Sequence, residues 1–158
     1  NIIAFILLIF AVVLLNRNIN KRKEAENTLQ ESRNWLATTL ESIGDAVIVT
    51  NKLGEILFMN KVAEELTGWE VSESKGLLIH HVLNIYNEDT GLRSIDPVQN
   101  VVATRKVINL VDHTILIKKN LDEIPIDDSA APIINDNGEM IGVVMGFRNI
   151  SERRLAER

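Results

Sequence analysis

The most restrictive pattern in the chain lies near its end, where two strand-like runs are joined by a tight turn. The first run extends from Ile124 to Ile134, with a proline near its start where a missing backbone donor is tolerated. Asn135-Asp136-Asn137-Gly138 is a strong turn sequence, and the second run extends from Met140 to Arg148. Alternation of side chains along a strand divides this second run into two faces. One face is predicted to carry Ile141, Val143, Met145 and Phe147, and the other Met140, Gly142, Val144, Gly146 and Arg148. The pattern predicts a β-hairpin whose glycines allow close packing by a neighbouring helix or ligand.

A second hairpin is predicted nearer the start of the chain. Ala46–Thr50 is a short β-prone run, and the residues 51–54 that follow have Asn first and Gly last, as a type I turn prefers. Residues 55–59 return as its partner strand. Residues 114–118, Thr-Ile-Leu-Ile-Lys, add a further strand.

Three helix starts lie between and after these strands. Asn60 is a good N-cap for a short helix over residues 61–66. Asp96, followed by a proline at the first helical position, begins a longer helix, and Ser151 is predicted to cap a last one. Residues 71–95 are polar and irregular and give no clear assignment. The elements together predict an α+β domain.

A run of fourteen uninterrupted apolar residues, Ile2 to Leu15, precedes this domain. As a helix it would be roughly 21 Å long, shorter than the roughly 30 Å hydrocarbon core of a bilayer. No basic region precedes the run, as a signal peptide would require. A basic cluster follows it over residues 16–23, as on the cytoplasmic side of a span. We interpret the run as the inner part of a transmembrane helix whose beginning lies outside the sequence, which predicts an inner-membrane protein with its domain in the cytoplasm.

Residues 24–42 predict a helix that connects this run to the domain. Leu29, Leu36 and Ile43 recur at a spacing of seven residues, with Leu40 between the last two. This stripe is compatible with a parallel coiled coil that joins two subunits, and equally with one apolar face that lies on the following domain. Both interpretations stay open.

Composition excludes several classes of function. The chain has no cysteine, which excludes disulfides, thiolate metal sites, a cysteine nucleophile and a cysteinyl-flavin photosensor. Its net charge of -5 and the lack of a basic stripe argue against a nucleic-acid partner. No nucleophile elbow, phosphate-binding glycine loop or zinc-binding spacing is present, so no catalytic residue is predicted.

Four segments resemble a known family. Residues 60–69, Asn-Lys-Val-Ala-Glu-Glu-Leu-Thr-Gly-Trp, are similar to the segment after the second strand of PAS domains. Residues 45–50 resemble the opening hairpin of that family, and residues 126–144 its closing hairpin. Arg148-Asn149-Ile150-Ser151 stands where many PAS domains carry the motif that leads into the exit helix. The resemblance implies a five-stranded antiparallel sheet with short helices on one face.

The resemblance also implies an order of segments along the chain. Residues 1–16 would be the end of a transmembrane helix, 17–43 a juxtamembrane linker helix, 44–150 the PAS domain and 151–158 the start of an exit signalling helix. Such an order is typical of membrane-bound sensor histidine kinases and of diguanylate cyclases or phosphodiesterases. It predicts a signal-relay module that acts on an output domain elsewhere in the protein. The alternative is a module that mainly forms homodimers, without a ligand.

The sequence departs from the family pattern at two places. Asn149 replaces the usual Asp of the exit motif, and an amide can cap a helix but cannot form an ion pair. Residues 120–123 lack the glycine that is usual in the turn between the third and fourth strands. Residues 86–95 resemble an insert of a PAS subgroup found in cyclic-di-GMP enzymes and sensor kinases.

The candidate cofactor residues are Trp69, His80 and His81. Trp69 would stack on a flavin, although a core or lid contact is the simpler interpretation. His80 and His81 lie where some PAS domains place a haem ligand, but haem sensors of the family usually carry theirs on the long helix, which has no histidine here. We therefore expect surface or loop roles for both, and an edge position for His113. Four carboxylates, Asp127, Asp128, Asp136 and Glu139, lack the spacing of a calcium loop, which predicts a solvated turn at residues 136–139.

Overall fold

The computed structural model describes residues 2–109 and 113–157, without a number of the side chains of the first helix. The helices are α1 Ile2–Ile43, α2 Lys61–Thr67, α3 Val71–Ser74, α4 Ile79–Val82, α5 Pro97–Thr104 and α6 Ser151–Ala156. The strands are β1 Ala46–Asn51, β2 Ile56–Met59, β3 Asn84–Asn87, β4 Ile108–Asn109, β5 Thr114–Ile117, β6 Glu123–Ile134 and β7 Met140–Asn149.

The chain divides into two compact units, residues 1–39 and residues 40–158. Helix α1 is continuous over 42 residues, so the predicted boundary at residue 16 between a span and a linker is not marked by a break. Among the described residues, no helix is long and apolar enough to cross a membrane, and the predicted span is therefore not supported. The side chains of residues 3–9, and of the stripe Leu29, Leu36, Leu40 and Ile43, lie outside the described residues, so the stripe stays a prediction.

The second unit is built on one antiparallel sheet with the strand order β2-β1-β7-β6-β5-β3, and β4 pairs with β6. All five predicted strands are present, with bounds within one residue of those expected. The sheet is larger than predicted, because β3 and the two-residue β4 also join it. Strand β3 lies in residues 71–95, for which no element was predicted, and two short helices, α3 and α4, also form there.

Strand β7 has the predicted faces over most of its length. Val143, Met145 and Phe147 are buried together in the core. The register of β6 and β7 shifts between Ile133 and Ile134, and there the prediction is wrong: Ile141 is 51% exposed whereas Met140 is buried. A bulge adds one residue to the alternation and so reverses the faces beyond it.

Gly142 of β7 is the glycine that close packing requires. A Cβ at this position would overlap the backbone oxygen of Thr50 on β1. The close neighbour is thus the adjacent strand of the sheet, rather than the helix or ligand expected from the sequence.

Two predicted caps fix the helices against the sheet. The Asn60 side chain accepts a hydrogen bond from the Ala63 backbone at 3.0 Å, and α2 ends at Gly68 in the left-handed region. The Asp96 side chain accepts from the Val98 backbone at the start of α5. The core that the sheet and helices enclose contains Ala46, Ile48, Ile56, Met59, Ala63, Ile79, Val82, Leu83, Ile85, Val98, Val101, Leu116, Ile126, Ala130, Val143, Met145 and Phe147.

The turn between β5 and β6 shows what the missing glycine costs. Leu121 has a φ of 71°, in the left-handed region, and its side chain is 79% exposed. A γ-branched side chain is unfavourable in this backbone conformation by roughly 1–2 kcal/mol. The family's usual glycine would avoid that strain.

Candidate signal-transfer site

The end of β7 and the start of α6 form a junction in which each of the four predicted exit residues has a distinct contact. The Arg148 Nε donates to Asp45 Oδ1 at 2.6 Å, which joins the end of β7 to the residue before β1. The Ile150 backbone N–H donates to the Pro125 carbonyl of β6 at 3.0 Å. The junction is therefore attached to both neighbours of β7 in the sheet.

Asn149 has the capping role that the sequence assigned to Ser151. Helix α6 begins at Ser151 and its N-cap position is Ile150, so the predicted cap is displaced by one residue. The Asn149 Oδ1 accepts from the Ser151 backbone at 2.9 Å and from the Ser151 hydroxyl at 2.7 Å. An amide oxygen can accept both of these bonds.

A second contact attaches α6 to the insert that follows β3. The Arg154 Nη1 donates to Glu88 Oε2 at 2.7 Å, and the Glu88 backbone donates to the His113 carbonyl at 2.8 Å. The His113 ring contacts Asp89 at 2.6 Å, and this hydrogen bond raises the pKa of His113 above its ordinary value. The insert thus supplies α6 with an ion pair, Arg154 with Glu88, whereas the uncharged Asn149 cannot form one.

A buried carboxylate lies next to this junction on β6. Asp128 is 5% exposed and faces the core with Ile126 and Ala130, opposite Phe147 of β7. Neither of its oxygens has a hydrogen-bond partner in the described part of the chain. Burial, with a smaller contribution from the charge of Asp127, raises the pKa of Asp128 to about 7. A buried group of this kind is a functional candidate because leaving it unpaired costs stability.

Two strands flank β6 on the side away from β7. Strand β5 pairs with β6 only as far as Ile126, and β4 pairs with it only at Ser129 and Ala130. The chain between these two strands includes residues 110–112, which lie outside the described residues. A cleft of about 530 Å³ opens here, lined among others by Asp45, Asp127, Asp128 and Arg148.

Trp69 packs against the core rather than standing free in a cavity. The Lys119 ammonium lies 4.5 Å from the centroid of its ring and 2.6 Å from Glu73 Oε2. The hydrogen bond from Lys119 lowers the pKa of Glu73 below its ordinary value. One face of the indole is therefore covered by a cation that a flavin would have to displace.

His80 and His81 lie in the short helix α4, with their rings 4.4 Å apart. The His80 Nδ1 is 3.7 Å from Asp96 Oδ2, and its ring lines a cavity of about 200 Å³. His81 is exposed. The structure thus brings His80 to a small cavity wall, while the haem and flavin roles stay untested.

The remaining candidate carboxylates are separated from one another. Asp136 and Glu139 lie exposed in the turn between β6 and β7, whereas Asp128 is buried in the middle of β6. Among the described residues, no three His, Cys, Asp or Glu side chains are placed to share a metal ion.

The sequence contained the signal for Asp128, although the predictions did not use it. Residues 126, 128 and 130 alternate along a strand, and this alternation places Asp128 on the same face as its two apolar neighbours. The pairing of Arg154 with Glu88 had no such signal, because it joins residues 66 positions apart through an irregular insert.

The second unit has the arrangement of a PAS domain. Its antiparallel sheet has the order β2-β1-β7-β6-β5, short helices lie between its second and third predicted strands, and a helix follows its last strand directly. A family model described as the PAS fold matches residues 36–150, and the chain belongs to this family. PAS domains are typical of sensory modules in signalling proteins, and are not themselves catalytic.

One curated relative is the probable diguanylate cyclase DgcE of Escherichia coli, 26% identical over 141 residues. The match includes 89% of this chain but only 12% of the relative's length. Among solved structures, the PAS domain of a protein from Colwellia psychrerythraea is 21% identical, with a TM-score of 0.57 over 76% of this chain and 98% of that one. The PAS domain of nitrogen regulation protein NR(II) from Vibrio parahaemolyticus is 14% identical, with a TM-score of 0.55 over 72% of this chain and 96% of that one.

Proposed function

We propose that this chain is a sensory relay module, which passes a change in the PAS core through α6 to the output domain of a signalling enzyme of the diguanylate cyclase type. The observation that carries the proposal is the junction of β7 and α6. Only Ile150 separates strand from helix, and side-chain contacts attach the junction to Asp45 and to Ser151. A displacement of β7 is therefore transmitted to the axis of α6.

The ion pair of Arg154 and Glu88 is the contact expected to bias the position of α6. Arg154 is 23% exposed and Glu88 47% exposed, so water screens the pair only in part. Such a pair contributes about 0.5–1 kcal/mol. If the pair forms in one of two α6 positions only, its loss shifts the ratio of the two by roughly twofold to fivefold.

The test fuses residues 1–157 through α6 to a diguanylate cyclase catalytic domain and measures the rate of cyclic-di-GMP formation. Arg154→Ala is expected to change the rate by about twofold to fivefold. Arg153→Ala is the matched control, because Arg153 pairs with Glu157 within α6 and contacts no strand through that bond. Equal rates for both variants and the parent would contradict the relay and favour the alternative below.

The alternative function is homodimerisation without a ligand. Strand β2 lies at one end of the strand order, and Leu57 and Phe58 on it are 54% and 41% exposed. Exposed apolar residues on an edge strand favour pairing with a second copy of the chain. The same fusion separates the two functions, because a passive dimerisation module responds to neither arginine substitution.

The proposal includes a location at the cytoplasmic face of the inner membrane. It rests on the fourteen apolar residues 2–15 and on the four cations, Arg17, Lys21, Arg22 and Lys23, that follow them. Alkaline extraction of membranes checks it: the chain should stay with the lipid fraction, and deletion of residues 2–15 should release it. Full release of the intact chain would contradict the location.

A further inference from the structure

The insert after β3 closes one side of a cavity of about 200 Å³. Helix α4, strand β3 and the first turn of α5 form its other sides. Its described lining residues all lie between positions 79 and 99, so the cavity is formed by the segment from α4 to α5 rather than by the central strands of the sheet.

Backbone hydrogen bonds hold the insert against β3. Arg93 forms an antiparallel bridge with Tyr86 of β3. The next residue, Ser94, donates its backbone N–H to the Ile85 carbonyl at 3.0 Å. The wall that carries Arg93 and Ser94 therefore has a defined position, and the cavity does not have to be formed by a ligand.

The floor of the cavity is apolar. Ile79, Leu83 and Ile85 line it, and each is at most 3% exposed. An aliphatic group that enters the cavity is removed from water against these side chains. Because an apolar cavity of about 150 Å³ holds benzene, a cavity of about 200 Å³ suits a ligand of roughly six to nine heavy atoms.

Two opposite charges line the same cavity, and each is fixed by one hydrogen bond. The Arg93 Nη2 donates to the His80 carbonyl at 2.8 Å. The Asp96 Oδ1 accepts from the Val98 backbone at 2.9 Å, as the cap of α5. Within the described part of the chain, Arg93 and Asp96 form no ion pair with each other.

Both charged groups keep capacity for a ligand. A guanidinium has five N–H donors, so the bond to the His80 carbonyl uses only part of the Arg93 side chain. The Asp96 Oδ2 is 3.7 Å from the His80 Nδ1, which is longer than a hydrogen bond. The cavity therefore offers a cation and a carboxylate oxygen above an apolar floor.

We propose that this cavity binds a free aliphatic α-amino acid. The ligand carboxylate pairs with the Arg93 guanidinium, the ligand ammonium pairs with Asp96 Oδ2, and the aliphatic side chain lies on the apolar floor. A zwitterion satisfies both charges of the wall at once. A ligand with a single charge shields one wall charge from water without pairing it, which costs affinity.

This inference names a ligand class for the proposed sensory module and so rests on that proposal. The insert that carries Arg93 also carries Glu88, whose ion pair with Arg154 attaches α6. A ligand that holds the insert is thereby coupled to the exit helix. Binding is measured on the chain alone, without an output domain, so absence of binding leaves the relay test untouched and a failed relay test leaves the binding result standing.

The experiment is titration calorimetry of the 158-residue chain with L-valine. Two analogues with the same branched side chain are the matched ligands: 2-methylpropylamine lacks the carboxylate, and 3-methylbutanoate lacks the ammonium. Valine is expected to bind, and each analogue should bind at least about tenfold more weakly, because each leaves one wall charge without its charged hydrogen-bond partner.

Two substitutions test the two charges separately. Arg93→Gln removes the cation, and Asp96→Asn removes the anion while asparagine still caps α5, so the fold is kept. Each should weaken valine at least about tenfold. In Arg93→Gln the advantage of valine over 2-methylpropylamine should also disappear, which a merely structural role of Arg93 would not produce. Arg153→Gln and Asp136→Asn, the same changes away from the cavity, should leave the affinity for valine unchanged.

Three results would overturn the proposal. They are no detectable binding of valine to the parent chain, equal binding of valine and the two analogues, and unchanged affinity for valine in both Arg93→Gln and Asp96→Asn. Tighter binding of 3-methylbutanoate than of valine would reassign the cavity to simple carboxylates and would also overturn it.

Discussion

Two buried polar side chains in this domain have opposite surroundings. Asn60, between β2 and α2, is 3% exposed, and Asp128, in the middle of β6, is 5% exposed. The Asn60 side chain accepts from the Val47 and Ala63 backbones and donates to the Asp45 carbonyl, all within 3.0 Å. Asp128 makes no hydrogen bond within the described residues.

The difference separates a structural residue from a candidate functional one. Around Asn60 the local preferences agree, because a cap, a left-handed Gly68 and a short apolar helix all favour the same geometry. From the turn after β5 to the middle of β6 they conflict, since Leu121 occupies a left-handed position in the turn and the Asp128 carboxylate is buried without a hydrogen-bond partner among the described residues. Backbone strain and unpaired buried polar groups are found most often at functional sites.

The largest expected effect is at Asn60. Asn60→Ala removes three hydrogen bonds and leaves the Val47 and Ala63 N–H groups buried without acceptors. The free energy of unfolding should fall by about 3 kcal/mol. Urea unfolding followed by circular dichroism measures it, with Asn137→Ala in the exposed turn as a control that should change stability by less than about 0.5 kcal/mol. A loss below about 1 kcal/mol for Asn60→Ala would remove the contrast with Asp128.

Replacing Asp128 should raise the free energy of unfolding rather than lower it, and only at high pH. Its folded pKa of about 7 is raised above its ordinary value of 3.8, so the folded state binds the proton more tightly than the unfolded state. The contribution of Asp128 to stability is therefore fully present below about pH 4 and is lost as pH rises towards 7.

Asp128→Asn tests this sign. At pH 8 the variant avoids an ionised buried carboxylate but keeps a buried amide, and its net gain should be about 2 kcal/mol. At about pH 4, where the parent carboxyl is protonated in the folded state and largely so in the unfolded state, the two should unfold at nearly equal urea concentrations. Asp136→Asn is again the control, with no pH-dependent difference expected. A variant that is less stable than the parent at pH 8 would show that the carboxylate has a stabilising partner.

The fold was predictable to the extent that it depends on local patterns. The strand alternation and the turn glycines gave the five predicted strands, and Asn60 and Asp96 gave two helix starts. Strand β3 was missed because two of its four residues, Asn84 and Asn87, are of a type that strands disfavour, and β4 because it has only two residues, which pair with β6. The three hydrogen bonds of Asn60, the ion pair of Arg154 and the isolation of Asp128 depend on residues distant in sequence, which no local pattern specifies.

The smallest expected effect is at the turn where the family's glycine is absent. Leu121→Gly relieves the left-handed strain and loses little burial, because the leucine is 79% exposed. The relief exceeds the added entropy of the unfolded chain, and stability should rise by about 0.5–1 kcal/mol. Leu53→Gly is the matched control: Leu53 is 76% exposed in the first turn and is not in the left-handed region, so the same substitution should lower stability by about 0.5–1 kcal/mol. Equal effects of the two substitutions in urea unfolding would show that Leu121 is not strained, and the conflict between β5 and β6 would then rest on Asp128 alone.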